Sequence, residues 1–407
     1  MSLFNNDEVK IIAEKCGFKN YDTLQYEIQN YSEELVGYLG EHLRLFLKVN
    51  SCDRVLFVKC VPRYDEYKAE YLRKTGFFRK EYVLLSSLFT QFIKREGCSK
   101  WRPEVIHLKD EVFVFEDVTK IGYALSDSRK PFSYDEIVAT VKAVAKFHAD
   151  SLIYEYKKTQ QLKRPYYIWE DYKEYLFEPV KAQPWRDTGC KGVIDILKIY
   201  SIYKDTPNFQ SVSKVVTDLF NRATKSMQPS RKYRNVVVHR DVWSNNVFFK
   251  DMEDGSKHAL LVDFQTAIYT IPTHDLATLL FLNTTKKFRS VFTNKMIDIY
   301  YMCLSDILND AGVNILDFFD RKTLSKAYED SVVFGITQAA LVLPIANMPE
   351  FIKDKYCRNG NEEFDAISRS NCFVESLESD EQYRETILEL FDDIAERFVL
   401  PSLNGYK

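Results

Sequence analysis

The sequence that decides the fold reads Val236-Val237-Val238-His239-Arg240-Asp241-Val242-Trp243-Ser244-Asn245-Asn246-Val247-Phe248-Phe249. Its three valines predict a strand that enters a polar loop, and residues 247–250 predict a second strand that leaves the loop. A turn around Asp254-Gly255 leads to a third strand, 259–262, which ends at Asp263. The pattern therefore predicts a short β-hairpin between long helical segments.

The pairing of this hairpin determines which polar side chains meet. If Lys250 lies opposite Ala259 in an antiparallel ladder, Asn246 lies opposite Asp263. Opposed residues in such a ladder are about 5 Å apart. Magnesium prefers hard oxygen ligands and completes its shell with water or phosphate oxygens. We therefore predict that Asn246 and Asp263 hold Mg²⁺.

Asp241 lies in the loop before the hairpin and supplies a third polar group. It could orient a substrate hydroxyl and accept its proton. Phosphoryl transfer has a loose transition state, so a protein catalyses it mainly by positioning groups and balancing charge. The pattern thus favours a phosphotransferase. The alternative is a polar loop in which Asp and Asn are ordinary turn residues.

A second pair of charged residues lies nearer the N-terminus. Lys59 falls inside an apolar strand, and Glu81 falls on the apolar stripe of the next helix. A buried charge without a partner is costly, so the two residues are expected to pair. Such a Lys–Glu pair holds ATP phosphates in kinase-like enzymes. The alternative is that Lys59 reaches solvent and Glu81 marks the edge of the stripe.

Weaker candidates surround these residues. Gly40, in Gly37-Tyr38-Leu39-Gly40, could cover phosphates, although an ordinary turn explains it equally well. Glu116 and Asp117 end a strand where the backbone could bind adenine.

Four further polar or aromatic residues allow a structural reading. His148 is expected to be a hydrogen-bonded histidine of the core, and His239 is expected to brace the loop that carries Asp241. Trp243 is expected to pack against the loop. Asp275 could cap a helix or hold the Asp241 loop.

The order of predicted elements indicates an α+β fold. Residues 1–30 are predicted to be helical, and two apolar runs, His42–Val49 and Arg54–Val61, predict a hairpin. After about residue 120 long helical patterns dominate. We therefore predict two lobes, a small β-rich lobe over 1–118 and a large helical lobe over 119–407.

Composition excludes several classes of function. The 407 residues carry a net charge of -3, which gives no reason to expect a nucleic acid or an anionic membrane as a partner. Eight cysteines without a Cys-x-x-Cys pair are typical of reduced thiols, and no signal peptide is visible, so a cytoplasmic location is expected. The apolar segment Val332–Met348 contains polar residues and predicts a buried helix.

Together these motifs resemble the ecdysteroid kinase-like family, also called the choline/ethanolamine-kinase-like family, which is similar to the aminoglycoside phosphotransferases of the protein-kinase-like superfamily. The resemblance rests on Leu56-Phe57-Val58-Lys59, Phe78 with Glu81, Phe115-Glu116-Asp117, Lys146-Phe147-His148-Ala149, His239-x-Asp241-x-Trp243-x-x-Asn246, Val262-Asp263-Phe264-Gln265 and Asp275-Leu276.

This resemblance implies a bilobal fold that binds ATP and Mg²⁺, with Asp241 as catalytic base beside His239. It implies Asn246 and Asp263 on the metal and Lys59 paired with Glu81. The family usually has Gly after the motif histidine, whereas this chain has Arg240.

Arg240 leaves a catalytically impaired, pseudokinase-type nucleotide-binding module as an alternative. A protein kinase is a further alternative, although Gln265 stands where Gly would follow Asp-Phe and no Ala-Pro-Glu segment follows. The resemblance, together with the frequent aromatic residues over 165–177, implies a lipophilic alcohol such as an ecdysteroid or a xenobiotic as the acceptor. A cationic amino-alcohol, which would need acidic and aromatic walls, is the alternative acceptor. No obligate protein partner is evident.

Overall fold

The structure is a computed structural model that describes residues 3–18, 23–31, 40–50, 52–178, 184–356 and 368–403. The chain divides into two compact units. The first unit comprises residues 1–125 and 245–266, and the second comprises 126–244 and 267–407. This division differs from the expected boundary after residue 118, because the hairpin that follows Asp241 belongs to the first unit.

The first unit is built on a five-stranded antiparallel sheet of order β1-β2-β3-β5-β4. Its strands are β1 (Gln25–Asn30), β2 (Glu41–Val49), β3 (Cys52–Cys60), β4 (Val105–Lys109) and β5 (Val112–Glu116). Alternate residues of β2 are buried, as a half-buried strand requires. They pack with apolar residues of α1 (Asn6–Lys15), and α2 (Glu66–Thr75) and α3 (Phe77–Val83) complete the helices of this unit.

The prediction of helix over residues 1–30 is therefore wrong for β1. This strand lies at the edge of the sheet, where it pairs only with β2, and most of its residues are exposed. Its sequence does alternate, with Tyr26 and Ile28 between polar residues, but two apolar residues in a short polar segment are a weak strand signal. The hairpin predicted for the next two runs is confirmed as β2 and β3.

A second sheet of the first unit has the order β6-β8-β9. It consists of β6 (Ala124–Leu125), β8 (Val247–Asp251) and β9 (Lys257–Leu261). The amide of Leu261 donates to the carbonyl of Trp101 over 2.7 Å, which ties the hairpin to this unit. The predicted register is wrong by one residue, because Ala259 pairs with Phe249 and Lys250 pairs with His258.

The second unit is mainly helical. Its helices are α4 (Tyr134–Leu162), α5 (Trp169–Leu176), α6 (Pro184–Tyr200), α7 (Val212–Ser226), α8 (Thr273–Asn283), α9 (Lys286–Asp310), α10 (Arg321–Ala346), α11 (Glu350–Tyr356), α12 (Ser370–Ser379) and α13 (Glu381–Ile394). A two-stranded sheet pairs β7 (Val236–Val238) with β10 (Ile268–Thr270). The strand β7 is fully buried and delivers the chain to Asp241.

Helix α10 is the central helix of the second unit. In the described part of the chain it is the one helix with the length and apolar composition to cross a membrane, and 67% of its most apolar window is buried inside the protein. A Cβ at Gly335 would lie 2.7 Å from the backbone of Ala277, so only glycine permits this approach to α8. The prediction of a buried helix over Val332–Met348 is confirmed.

Candidate active site

Lys59 forms two short ion pairs in the first unit. Its Nζ lies 2.6 Å from Glu81 Oε2 and 2.9 Å from Asp263 Oδ1. Lys59 is 5% exposed and Glu81 is 1% exposed, so the pair is shielded from solvent. The Lys59–Glu81 pair expected from the sequence is present, and Asp263 joins it. We call these three residues the lysine cluster.

Neighbouring aromatic rings position the members of the lysine cluster. Lys59 comes from β3, and its Nζ lies 5.5 Å from the centre of the Phe78 ring. Glu81 lies on α3, one turn after Phe78, and its Oε1 accepts a hydrogen bond of 3.1 Å from the Phe264 amide. The carboxylate therefore links α3 both to β3 and to the segment that carries Asp263.

The lysine cluster contains one cation and two carboxylates. Burial alone lowers the pKa of Lys59, but Asp263 and Glu81 outweigh this effect, so the pKa is raised and the ammonium stays charged. Burial and the charge of Asp263 raise the pKa of Glu81, against the influence of Lys59. With both carboxylates ionised the cluster has an excess negative charge, which a bound cation would offset.

Asn246 and Asp263 lie at the same end of the hairpin, although not directly opposite each other. The amide of Val262 donates to the carbonyl of Asn246 over 3.0 Å, so the partner of Asn246 is Val262. The residue that follows, Asp263, has φ 67°, in the left-handed region, where Asp is tolerated better than most residues. This backbone turn ends the hairpin and directs Asp263 towards Lys59.

The donors at this end of the hairpin fit a magnesium ion that is held partly by phosphate. Asn246 offers an amide oxygen, and Asp263 Oδ2 accepts only a long hydrogen bond of 3.2 Å from Gln265 among the contacts of the described residues. Within the described ranges no cluster of three or more His, Cys, Asp or Glu residues could hold a metal. Magnesium is commonly bound by one or two carboxylates with substrate phosphates, so the site needs no such cluster.

In the second unit Asp275 holds the loop of residues 239–243, here called the Asp241 loop. Its Oδ2 accepts from the His239 amide and its Oδ1 from the Arg240 amide, both over 2.7 Å. His148 Nε2 lies 3.0 Å from Oδ2, and Tyr300 Oη lies 2.8 Å from His148 Nδ1. Burial tends to raise the pKa of Asp275, but the bonds to His148 and His239 lower it, so the carboxylate stays ionised.

These contacts decide between the readings left open for the polar residues of the loop. Asp275 anchors the loop, and His148 is a buried core histidine. His239 is also buried, and its Nδ1 lies 3.3 Å from the Asp241 amide, as a brace requires. Trp243 is 8% exposed and packs. Asp241 is half-buried, and its placement relative to the residues of the first unit stays a prediction.

Arg240 adopts the backbone conformation for which glycine is favoured. Its φ is 72°, in the left-handed region that glycine adopts without steric cost. The side chain is 7% exposed, and its Nη1 lies 2.8 Å from Glu178 Oε2. The arginine thus fits the loop geometry of a glycine and adds an ion pair.

The weaker candidates of the first unit differ in their surroundings. A Cβ at Gly40 would lie 3.5 Å from Lys59 Cγ, so Gly40 borders the lysine cluster, whereas Gly37 to Leu39 lie outside the described residues. Glu116 accepts from Lys100 Nζ and from the Glu104 amide. Asp117 accepts from Arg44 and Thr119. The carboxylates of Glu116 and Asp117 therefore already serve the fold of this unit.

The aromatic segment 165–177 is largely structural. Tyr166, Ile168, Tyr172 and Leu176 are buried, and Trp169 stacks on Tyr269. Tyr167 and Phe177 are exposed. Trp169 and Tyr175 are partly exposed, so Tyr167 and Phe177 offer the most exposed aromatic surface of this segment.

Sequence reasoning missed Glu178, Arg186 and Gln265. Glu178 and Arg186 lie in segments without a motif, and only the fold brings Glu178 to Arg240. The sequence marks Gln265 only as a departure from the protein-kinase pattern, whereas in the structure its side chain contacts Asp263.

The model of the ecdysteroid kinase-like family matches residues 36–313. Because this match covers more than half of the chain, the protein belongs to the ecdysteroid kinase-like family. Membership supports a small-molecule kinase. The two units, one built on a small antiparallel sheet and one mainly helical, give the α+β, bilobal, protein-kinase-like fold expected from the sequence.

Solved structures of several kinases are similar to this chain. An ethanolamine kinase of Plasmodium vivax has 12% identity and a TM-score of 0.43, with 92% of this chain and 86% of that chain covered. A microcompartment-associated aminopropanol kinase has 13% identity and a TM-score of 0.47, with 99% of both chains covered. A choline kinase from Cryptosporidium parvum has 12% identity and a TM-score of 0.41, with 98% and 99% covered. No curated protein matches the sequence.

Proposed function

We propose that this protein is an ATP-dependent kinase that transfers the γ-phosphate of ATP to a hydroxyl of a small molecule. The observation that carries the proposal is the lysine cluster. A buried lysine held by a helix carboxylate and by the aspartate that ends the hairpin is an arrangement suited to nucleotide phosphates and their metal. Gly40 borders this cluster.

Each residue then has a role in transfer. Asp241 accepts the proton of the acceptor hydroxyl while the hydroxyl oxygen forms a bond to the γ-phosphorus of ATP. The bond between the γ-phosphorus and the bridging oxygen of the β-phosphate breaks, and ADP is released. Asp275 and His239 keep the Asp241 loop in place. Asn246 and Asp263 would hold Mg²⁺, which supplies charge stabilisation to the phosphates.

The proposed acceptor is a lipophilic alcohol of the ecdysteroid or xenobiotic type. Family membership and the exposed aromatic residues Tyr167 and Phe177 support this class. A cytoplasmic location is also proposed, and cell fractionation with an antibody against the chain tests it.

Two alternatives make different predictions. A pseudokinase would bind nucleotide without transfer, but Arg240 adopts the glycine-like geometry and Asp275 holds its amide, so the substitution gives little reason to expect an impaired loop. A protein kinase needs an activation segment for peptide docking, whereas α8 begins at Thr273, shortly after Asp263.

The decisive experiment is turnover of Mg·ATP with a panel of steroid, plant and xenobiotic alcohols, with products identified by mass spectrometry. We expect a mass increase of one phosphate on at least one alcohol, and none on a generic protein substrate. Nucleotide binding without any phosphorylated product would favour the pseudokinase, and labelling of the protein substrate would favour the protein kinase.

A further inference from the structure

The second unit contains a buried group of charges next to Asp241, which we call the arginine cluster (Arg186, Arg240 and Glu178). Arg186 Nη2 lies 3.4 Å and Arg240 Nη1 lies 3.8 Å from the sulfur of Met227, so the two guanidinium groups converge on one atom. Both arginines are more than nine-tenths buried, at 6% and 7% exposure. Arg240 directly precedes Asp241 in the chain.

The arginine cluster lacks one negative charge. Glu178 forms its ion pair with Arg240, whereas the hydrogen bonds of Arg186 in the described part of the chain go to neutral partners, Met227 and the Gln338 Oε1 at 3.0 Å. Arg186 Nη1 has no hydrogen-bond acceptor among the described residues. Burial, and then repulsion from Arg240, lower the pKa of Arg186 to about 10 against the attraction of Glu178, so Arg186 remains charged at neutral pH.

A buried cation without a counter-charge is costly, and fold stability gives no reason to keep it. Arg289 shows the usual solution, because it is equally buried at 6% exposure but lies 3.1 Å from Asp393. The most exposed side chain of the arginine cluster is that of Glu178, at 18% exposure, and its carboxylate offsets only one of the two guanidinium charges. An arriving anion would gain from the uncompensated charge.

We infer that the arginine cluster selects acceptors that carry an anionic group, a carboxylate or a sulfate, near the hydroxyl that is phosphorylated. The inference rests on the proposed kinase function, because only a small-molecule acceptor would approach Asp241. It narrows the acceptor from a lipophilic alcohol to an acidic one.

Matched acceptor pairs test the inference. The probes are hydroxylated steroid carboxylic acids with their methyl esters, and hydroxysteroid sulfates with the parent alcohols. We expect kcat/KM of the wild type to favour the charged member of a pair by about tenfold, with most of the difference in KM. Arg186→Gln removes a positive charge from the arginine cluster and should reduce this ratio to about one. Glu178→Gln removes the negative charge of the cluster and should increase the ratio.

Controls separate charge recognition from folding. Arg186→Lys keeps the charge and should keep the ratio, and Arg289→Gln, at the matched buried arginine, should leave it unchanged. Thermal unfolding checks that each variant is folded, and calorimetry with the acid and the ester gives the same comparison without turnover. Equal use and equal binding of both members by the wild type, or an unchanged ratio in Arg186→Gln, would overturn the inference. Absence of any phosphorylated product would instead refute the proposed kinase, and the binding ratio would still decide this inference.

Discussion

The lysine cluster and the arginine cluster are opposites in charge. In the first unit one lysine faces two carboxylates, and in the second unit two arginines share one carboxylate. Each buried group is therefore one charge short of balance. Proteins avoid such an imbalance unless something else supplies the charge, so each cluster indicates a ligand of the opposite sign: a metal cation with phosphates at the first, and an anionic acceptor at the second.

A third buried group provides a reference for this comparison. Glu155 and Arg234 in the second unit form a one-to-one pair, and Glu155 also accepts from the Tyr269 hydroxyl and the Ile168 amide. Its charges balance, so we assign it only a structural role. Charge imbalance, rather than burial alone, then marks the functional groups.

The largest expected effect is that of Asp241→Asn. The amide keeps the size of the side chain but cannot accept the proton, so kcat should fall by about 10³-fold. Affinity for a non-hydrolysable ATP analogue, measured by calorimetry, should stay within about twofold. As a control, Asp251→Asn removes a carboxylate that is 82% exposed and should leave kcat unchanged. Full activity of the Asp241 variant would refute the role of this residue.

Lys59→Met should have the next largest effect, because it leaves Glu81 and Asp263 without their cation. The free energy of unfolding should fall by about 3 kcal/mol at pH 7.5. The pKa of Glu81 is already raised, and loss of Lys59 raises it further. A carboxyl with a raised folded pKa stabilises the fold when protonated, so the variant should recover stability as the pH falls towards 5.5.

Chemical denaturation at the two pH values measures this recovery. Lys100→Met is the matched control, because Lys100 forms a pair of 2.9 Å with Glu116 in which the side chains are 25% and 20% exposed. It should cost less than about 1 kcal/mol, with little pH dependence. An equal loss of unfolding free energy in both lysine variants would show that the ion pairs of Lys59 stabilise the fold no more than the Lys100–Glu116 pair does.

Glu155 should produce an effect of comparable size that appears only as a pH dependence. Burial raises its pKa from 4.5 to about 7, against Arg234 and the hydrogen bonds to Ile168 and Tyr269. Its protonated form therefore stabilises the fold below pH 4.5, and this contribution is lost as the pH rises to 7. Relative to Glu155→Gln, the wild type should lose about 3 kcal/mol over this range. Parallel stability curves for the two proteins would contradict the assignment.

Parts of both clusters could be predicted from the sequence, and the reasons differ. Lys59 and Glu81 were predictable as partners because each places a charge on an apolar surface, and such charges must meet. Asp275 was recognisable as a candidate anchor because it follows the hairpin at the start of a helix. Glu178 and Arg186 were not predictable, because their proximity to Arg240 depends on how α6 and the segment after α5 pack.

The hairpin shows the limit of pattern reading for register. The strand pairing was predicted, but the turn is shorter than expected, because Met252 donates to Ser256 over 2.8 Å and Asp254 accepts from the Ser256 amide. A tighter turn brings the third strand forward, and β9 begins at Lys257. Since loop length fixes register in a hairpin, one misjudged turn displaces every pair by one residue. The polar end of the hairpin was still correctly located.

The smallest expected effect isolates the backbone strain at Arg240. Both Arg240→Gly and Arg240→Ala remove the guanidinium of Arg240. The charge of Glu178 then balances that of Arg186 in the arginine cluster. They differ in a single Cβ, which alanine must hold at the observed φ of 72°. Glycine adopts this conformation freely, so the Gly variant should be more stable than the Ala variant by about 1 kcal/mol in chemical denaturation. Equal stabilities would mean that the loop relaxes once the ion pair is gone, and that the Arg240–Glu178 pair, more than the Asp275 anchor, imposes the left-handed turn before Asp241.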